Sequence, residues 1–187
     1  MIWDNNEDIR VEHCDGSRRG IQQVLDACRE ERRPYVVIKD NCSAQQSCCS
    51  EVQNGSTLSS ILVPVTMLEE EVYKAEVCTY LARKTGAHLI LLRANDYGSK
   101  AIKNTQRIIT HIQTIAERTG EPITYEERIA KGDSFHIHKE LPVLSSTLQG
   151  GDRGGLLTLL TASREYGLDD WLFGPPEQYV IRHSQVP

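Results

Sequence analysis

Three groups of residues in this 187-residue sequence have the types and spacing to do chemistry. The first is the stretch Thr161 to Pro176, Thr-Ala-Ser-Arg-Glu-Tyr-Gly-Leu-Asp-Asp-Trp-Leu-Phe-Gly-Pro-Pro. It follows an apolar run, Leu156 to Leu160, that reads as a buried strand, and it precedes Glu177 to His183, which reads as a helix. A strand opening through a loop into a helix leaves backbone N–H groups free at the positive end of the helix dipole. The chemistry offered there is anion binding. Arg164 offers a cation to such an anion, unless it is a solvated loop residue. The second group is Asp133, His136 and His138, which invites a metal reading. Helical positions two apart point about 200° apart and cannot share one ion, so surface histidines are expected. The third is Ser163, at a strand-to-helix turn but without the flanking glycines of Gly-x-Ser-x-Gly. Nothing assembles a nucleophile, a base and an oxyanion site, and no enzyme is expected. Glu69-Glu-Glu71 is read as dipole-favoured charge in the first turn of a helix rather than as a cation site.

The totals narrow the function classes. Hydrophobic residues make up 39% and charged residues 25%, an ordinary globular composition. A net charge of -5 with scattered basic residues gives no nucleic-acid footprint. No apolar run reaches the ~20 residues of a membrane span. The acidic start, Met1-Ile-Trp-Asp-Asn-Asn-Glu-Asp8, is unlike a signal peptide, so a cytoplasmic setting is expected unless the chain is a piece of a larger protein. Cys42, Cys48 and Cys49 lack the paired spacing of a metal site and read as free thiols.

The elements that must position these groups follow from periodicity. Residues 1–58 predict a short strand over Ile9 to Glu12, a helix over Gly20 to Glu31 and a strand over Tyr35 to Lys39, then a Ser- and Cys-rich linker. From Ser59 the pattern is regular. Strands are expected at Ile61 to Val65, His88 to Leu92, Ile123 to Ile129 and Leu156 to Leu160. Helices are expected at Leu68 to Thr85, with Val72, Ala75, Cys78, Leu81 and Ala82 inward, and at Ser99 to Arg118, with Ile102, Ile108, Ile109, Ile112 and Ile115 inward. Two more are expected, at Ser134 to Leu144 and at the end of the chain. Glu126 and Glu127 mark the third strand as an edge. Alternating strands and helices predict an α/β fold, an open parallel sheet with helices on both faces. Ligands in such sheets sit at the carboxyl ends of the strands. The candidate ligand-binding residues are therefore Pro64, Val65, Thr66, Arg93, Thr161, Ala162, Ser163, Arg164, Gly167, Gly174 and Pro175.

Over residues 59–187 the sequence resembles a universal stress protein domain. The resemblance rests on Ile61-Leu-Val-Pro-Val65, on Gly132-Asp133, on Gly167-Leu168 through Gly174, and on Tyr179-Val-Ile-Arg-His183 with Val186-Pro187. It implies a sheet of strand order 3-2-1-4-5, a homodimer formed through the sheet edge, and in one branch ATP binding. That branch has an acidic residue just after the first strand, where this chain has Thr66. Its phosphate loop runs Gly-x-x-Gly, a spacer, then Gly-Ser or Gly-Thr. Here those places hold Thr161, Arg164, Gly174 and Pro175. Glycine lets a backbone approach phosphate, and proline removes both the hydroxyl and an N–H donor. The family also ends in a fifth strand, which Tyr35 to Lys39 is expected to replace beside the fourth, in its own subunit or a partner, unless residues 1–58 are an unrelated appendage.

The function expected is a non-catalytic regulatory or stress-related binding module, of universal stress protein type, with a degenerate nucleotide loop and no ATP cofactor. Its ligand would be a small molecule or a protein partner. One rival is an ATP or AMP binder with altered contacts. Another is a cytosolic regulatory domain cut from a membrane transporter. An enzyme of the related adenine-hydrolase folds is a weaker third.

Overall fold

A computed structural model describes residues 10–31, 35–39, 58–149, 155–160 and 175–184. Strands β3 (Leu58–Val65), β4 (His88–Arg93), β5 (Tyr125–Ile129) and β6 (Gly155–Thr158) form one four-stranded sheet in the order β5-β4-β3-β6. Every pairing is parallel. This is the 3-2-1-4 part of the expected order, and the α/β fold class stands. Among the described residues no strand lies beyond β6.

Among the described residues the helices are α1 (Arg18–Glu31), α2 (Tyr73–Thr85), α3 (Lys100–Thr119), α4 (Ile137–Gln149) and α5 (Pro176–His183), with a 3₁₀ turn at Glu69–Val72. Side chains alternate across a strand, so each apolar run serves two cores. Ile61, Val63, Val65, Leu89 and Leu91 face Ala75, Cys78 and Ala82 of α2 and Ile108 and Ile112 of α3. Leu62, Ile90 and Leu92 face Ile137 and Leu141 of α4 and Val180 of α5. Strand β5 is the edge expected, with its charges paired: Glu127 with Arg93, and Glu126 with Arg128.

Three expectations are corrected. The helix read over Leu68 to Thr85 begins as the 3₁₀ turn and becomes α-helical only at Tyr73. Ile102, read as inward, is exposed. The buried stripe of α3 is Ala101, Asn104, Thr105, Ile108 and Ile112. At 100° per residue Ile102 falls outside that stripe, while the small Ala101 and Thr105 let the first turns approach the sheet. Finally, Tyr35 to Lys39 does not join the main sheet. As β2 (Tyr35–Lys39) it pairs in parallel with β1 (Arg10–Cys14) in a separate two-stranded sheet.

That β1-α1-β2 unit is seated on α5. Ile21, Val24 and Leu25 of α1 pack with Cys14, Val37 and Ile181. Gln178 donates to the Arg18 carbonyl at 3.1 Å, and the Lys39 ammonium donates to the carbonyls of Arg182, at 3.0 Å, and Ser184. The competing pull is polar as well as apolar, because the last turn of α5 offers carbonyls that its own ladder cannot use.

Candidate functional site

Strand β3 is central, and the chain leaves it to one side for β4 and β5 and returns on the other for β6. The strand order reverses there, which is where open α/β sheets place ligands. Leu62 accepts a bond from the Leu159 N–H on the β6 side. Pro64 has the same parity and lies past the last β6 rung, at Leu62 and Thr158. A proline is tolerated in a central strand at that point because no ladder bond is lost. Its carbonyl is left open, and the Lys74 ammonium takes it at 2.6 Å.

Lys74 is buried, and its Nζ also lies 2.6 Å from Glu71 Oε2. The Thr66 hydroxyl donates to the other oxygen, Glu71 Oε1, at 2.8 Å. Asn104 Nδ2 donates to the carbonyls of Thr66 (2.9 Å) and Leu68 (2.8 Å). The carboxyl end of β3 is therefore closed by a chain of internal bonds from α2 and α3. From the sequence Glu71 reads as dipole-favoured charge in a first helical turn, with no partner named. It is a buried carboxylate with two named partners.

The neighbouring loops are closed in the same manner. The Arg93 Nε lies 2.6 Å from Glu127 Oε1, so its charge is spent across the strand pair. Val65 is buried, and its carbonyl accepts the Ala94 N–H at 2.9 Å. After β5, the Gly132-Asp133 turn presents two backbone N–H groups, and the Glu140 carboxylate accepts both, from Lys131 at 3.0 Å and from Gly132. Asp96 accepts from the backbone N–H and hydroxyl of Ser134, and the Ser134 hydroxyl accepts from the Met67 N–H at 2.8 Å. Asp133 caps the turn through the N–H groups of Phe135 and His136. The hydrogen bond from His136 holds the Asp133 carboxyl below its usual range.

His136 and His138 do not converge. His136 is exposed on Asp133, at 2.7 Å, while His138 packs edge-on against Tyr179 and burial lowers its pKa. Among the described residues no group of three His, Cys, Asp or Glu could hold a metal ion.

Of the candidates on the last loop, Pro175 alone is described. It is buried and extended (φ -68°, ψ 153°), and it starts α5 with no side-chain cap. Its carbonyl accepts the Gln178 N–H at 3.0 Å. Thr161, Ala162, Ser163, Arg164, Gly167 and Gly174 lie outside the described residues, as do Trp171, Phe173 and the cysteines Cys42, Cys48 and Cys49.

No protein-family model matches the chain, and no curated protein does. A solved structure described as a universal stress protein in complex with cAMP is similar in fold. It shares 14% identity over 70% of this chain and 94% of that one, with a TM-score of 0.46.

Sequence reasoning missed Glu71, Lys74, Asn104, Asp96, Ser134 and Glu140. One signal was legible: Asn104 interrupts the apolar face of α3, where a polar residue is retained only if it is bonded. The Glu140 bonds can be tested. Glu140→Gln should cost about 1–2 kcal/mol, since a carboxylate holds N–H groups more strongly than an amide. Urea denaturation measures the loss. An unchanged midpoint would show that the turn does not depend on Glu140.

Proposed function

We propose that this chain is a non-catalytic binding module of universal stress protein type that does not hold ATP in that family's usual way. The observation that supports this most directly is the buried Thr66–Glu71–Lys74 network on the Pro64 carbonyl. Where the ATP-binding branch offers an acidic residue to its ligand, this chain has a threonine whose hydroxyl is committed to Glu71. The start of α5 agrees, because Pro175 supplies neither the hydroxyl nor the N–H that a phosphate would use. A nucleotide entering here would have to break internal bonds before making its own.

Thermal unfolding with ATP, AMP and cAMP at millimolar concentration tests the reading. A ligand present at 100 times its dissociation constant stabilises by about 2.7 kcal/mol. For a chain of this size that would raise Tm by roughly 5–11 °C. No shift is expected with ATP. A shift of that size would establish the rival reading of a nucleotide binder with altered contacts. Among the described residues no helix is long and apolar enough to cross a membrane.

A further inference from the structure

Helices α4 and α5 lie side by side, and three rings join them. The Tyr179 ring of α5 meets the His138 imidazole of α4 edge-on, with centroids 5.4 Å apart and planes at 83°. His183 stacks on the same tyrosine at 4.2 Å and 29°. Its Nδ1 lies 2.8 Å from the Tyr179 carbonyl, which can only accept, so that nitrogen carries the hydrogen. The Ser145 and Ser184 hydroxyls, 3.3 Å apart, add one polar bond between the helices, and Leu141 and Val180 share the core beneath. A groove of about 530 Å³ between the helices, lined by Lys139, Pro142, Tyr179 and His183 among others, opens the array to solvent.

The charged and titratable groups that act on His138 are Lys139, on its own helix, and His136, in the turn before it. From α5 it faces Tyr179 and, on that ring, His183. The carboxylates of this region keep their charge but are bonded elsewhere: Asp133 to His136, at 2.7 Å, and Glu140 to the Lys131 and Gly132 amides. Among the described residues no carboxylate pairs with His138. Its ring is half-buried. Burial first, then the Lys139 and His136 charges, lower its pKa from the ordinary 6.5, and a hydrogen bond to the Phe135 backbone opposes them. The unfolded chain takes this proton near 6.5, and the folded chain only at lower pH. The stability that neutral His138 contributes is therefore complete above the unfolded value and is lost as pH falls through the folded one.

We propose that the α4–α5 contact is an acid-sensitive clasp: a proton taken up by His138 places a cation beside Lys139 at the joint of the two helices and loosens α5 together with the β1-α1-β2 unit seated on it. The seat lets the effect travel. Ile181 of α5 completes the core of that unit, Gln178 holds the Arg18 carbonyl, and Lys39 holds the last turn of α5. Helix α5 thus links α4 to the N-terminal unit. Histidine is the side chain whose ordinary charge change falls in this pH range. The clasp is a property of the fold and is independent of what the module binds.

Two measurements on the intact protein test it. The His138 ring resonances, followed by NMR from about pH 7.5 to about pH 5, should titrate below the ordinary imidazole value. Titration at or above that value would mean that the Tyr179 ring holds the imidazolium by a cation–π contact, and would overturn the proposal. Amide hydrogen exchange, corrected for its intrinsic pH dependence, should show α5 and α1 losing protection over the same range while β3 and β4 keep theirs. His138→Phe keeps a ring against Tyr179 and takes no proton, so α5 and α1 should hold their protection in that variant. If phenylalanine unsettles the fold, His138→Gln serves the same comparison. Equal loss in parent and variant would assign the effect to other groups, and loss spread evenly over the main sheet would make it global unfolding. Either result defeats the clasp.

Discussion

Lys74→Met is expected to lower stability by about 3–5 kcal/mol, the cost of stripping one partner from a buried ion pair. Glu71 and Lys74 are both buried at the end of the central strand, with their charged atoms 2.6 Å apart. Removing the cation leaves Glu71 with the Thr66 hydroxyl alone and leaves the Pro64 carbonyl unbonded. Methionine fills the volume, so the loss reports charge and hydrogen bonding and not a cavity. The double variant Lys74→Met, Glu71→Leu should recover most of it, because no isolated charge remains. It should fall short of full recovery by about 1–3 kcal/mol, since the Thr66 hydroxyl and the Pro64 carbonyl lose their partners. Urea unfolding of the four proteins closes the cycle. A single variant as stable as the parent would show that water already reaches the pair.

Asn104→Ala has the second largest expected effect, about 2–4 kcal/mol, from orphaning the Thr66 and Leu68 carbonyls together. One side-chain amide closes two carbonyls of the same loop because that loop turns back on itself before the 3₁₀ turn. Asn104→Asp should be worse, since a carboxylate faces two carbonyls with no proton to give. The chemical shifts of the Met67 and Leu68 amides are the local readout. If they do not move in Asn104→Ala, the loop is held by the Ser134–Met67 bond alone.

The fold was legible where one physical rule governs a segment. Ile61 to Val65 and His88 to Leu92 are apolar on both faces, as only strands covered from two sides are, and both lie where expected. The termination of α3 at Gly120, with φ 70°, follows from the left-handed turn that a glycine permits. Legibility failed where two rules compete. Ile102 is as apolar as Ile108 but sits on the wrong side of the helix, and hydrophobicity alone does not give the phase. Glu71 satisfies the helix-dipole rule from the sequence, and only the fold shows that Thr66 and Lys74 surround it. The site was less legible than the fold for the same reason. Its polar groups find partners far along the chain, as Met67 finds Ser134 and Arg93 finds Glu127. Of the expected ligand-facing residues, Pro64, Val65, Thr66 and Arg93 do stand at the carboxyl ends of β3 and β4, but each is occupied internally.

The seating of β1-α1-β2 on α5 has a kinetic side. Two strands and one helix are too few to be stable alone, and Ile181 completes their core. Strands β1 and β2 must therefore wait for α5, which follows the six described strands. Closing that circuit through Lys39 and Arg182 spans 143 residues, and the entropy of so long a loop opposes the contact before it returns anything. Topology of this kind slows folding, so the N-terminal unit should join after the main sheet has formed. Folding that begins with the main sheet and ends by seating β1-α1-β2 on α5 makes that unit the last to settle.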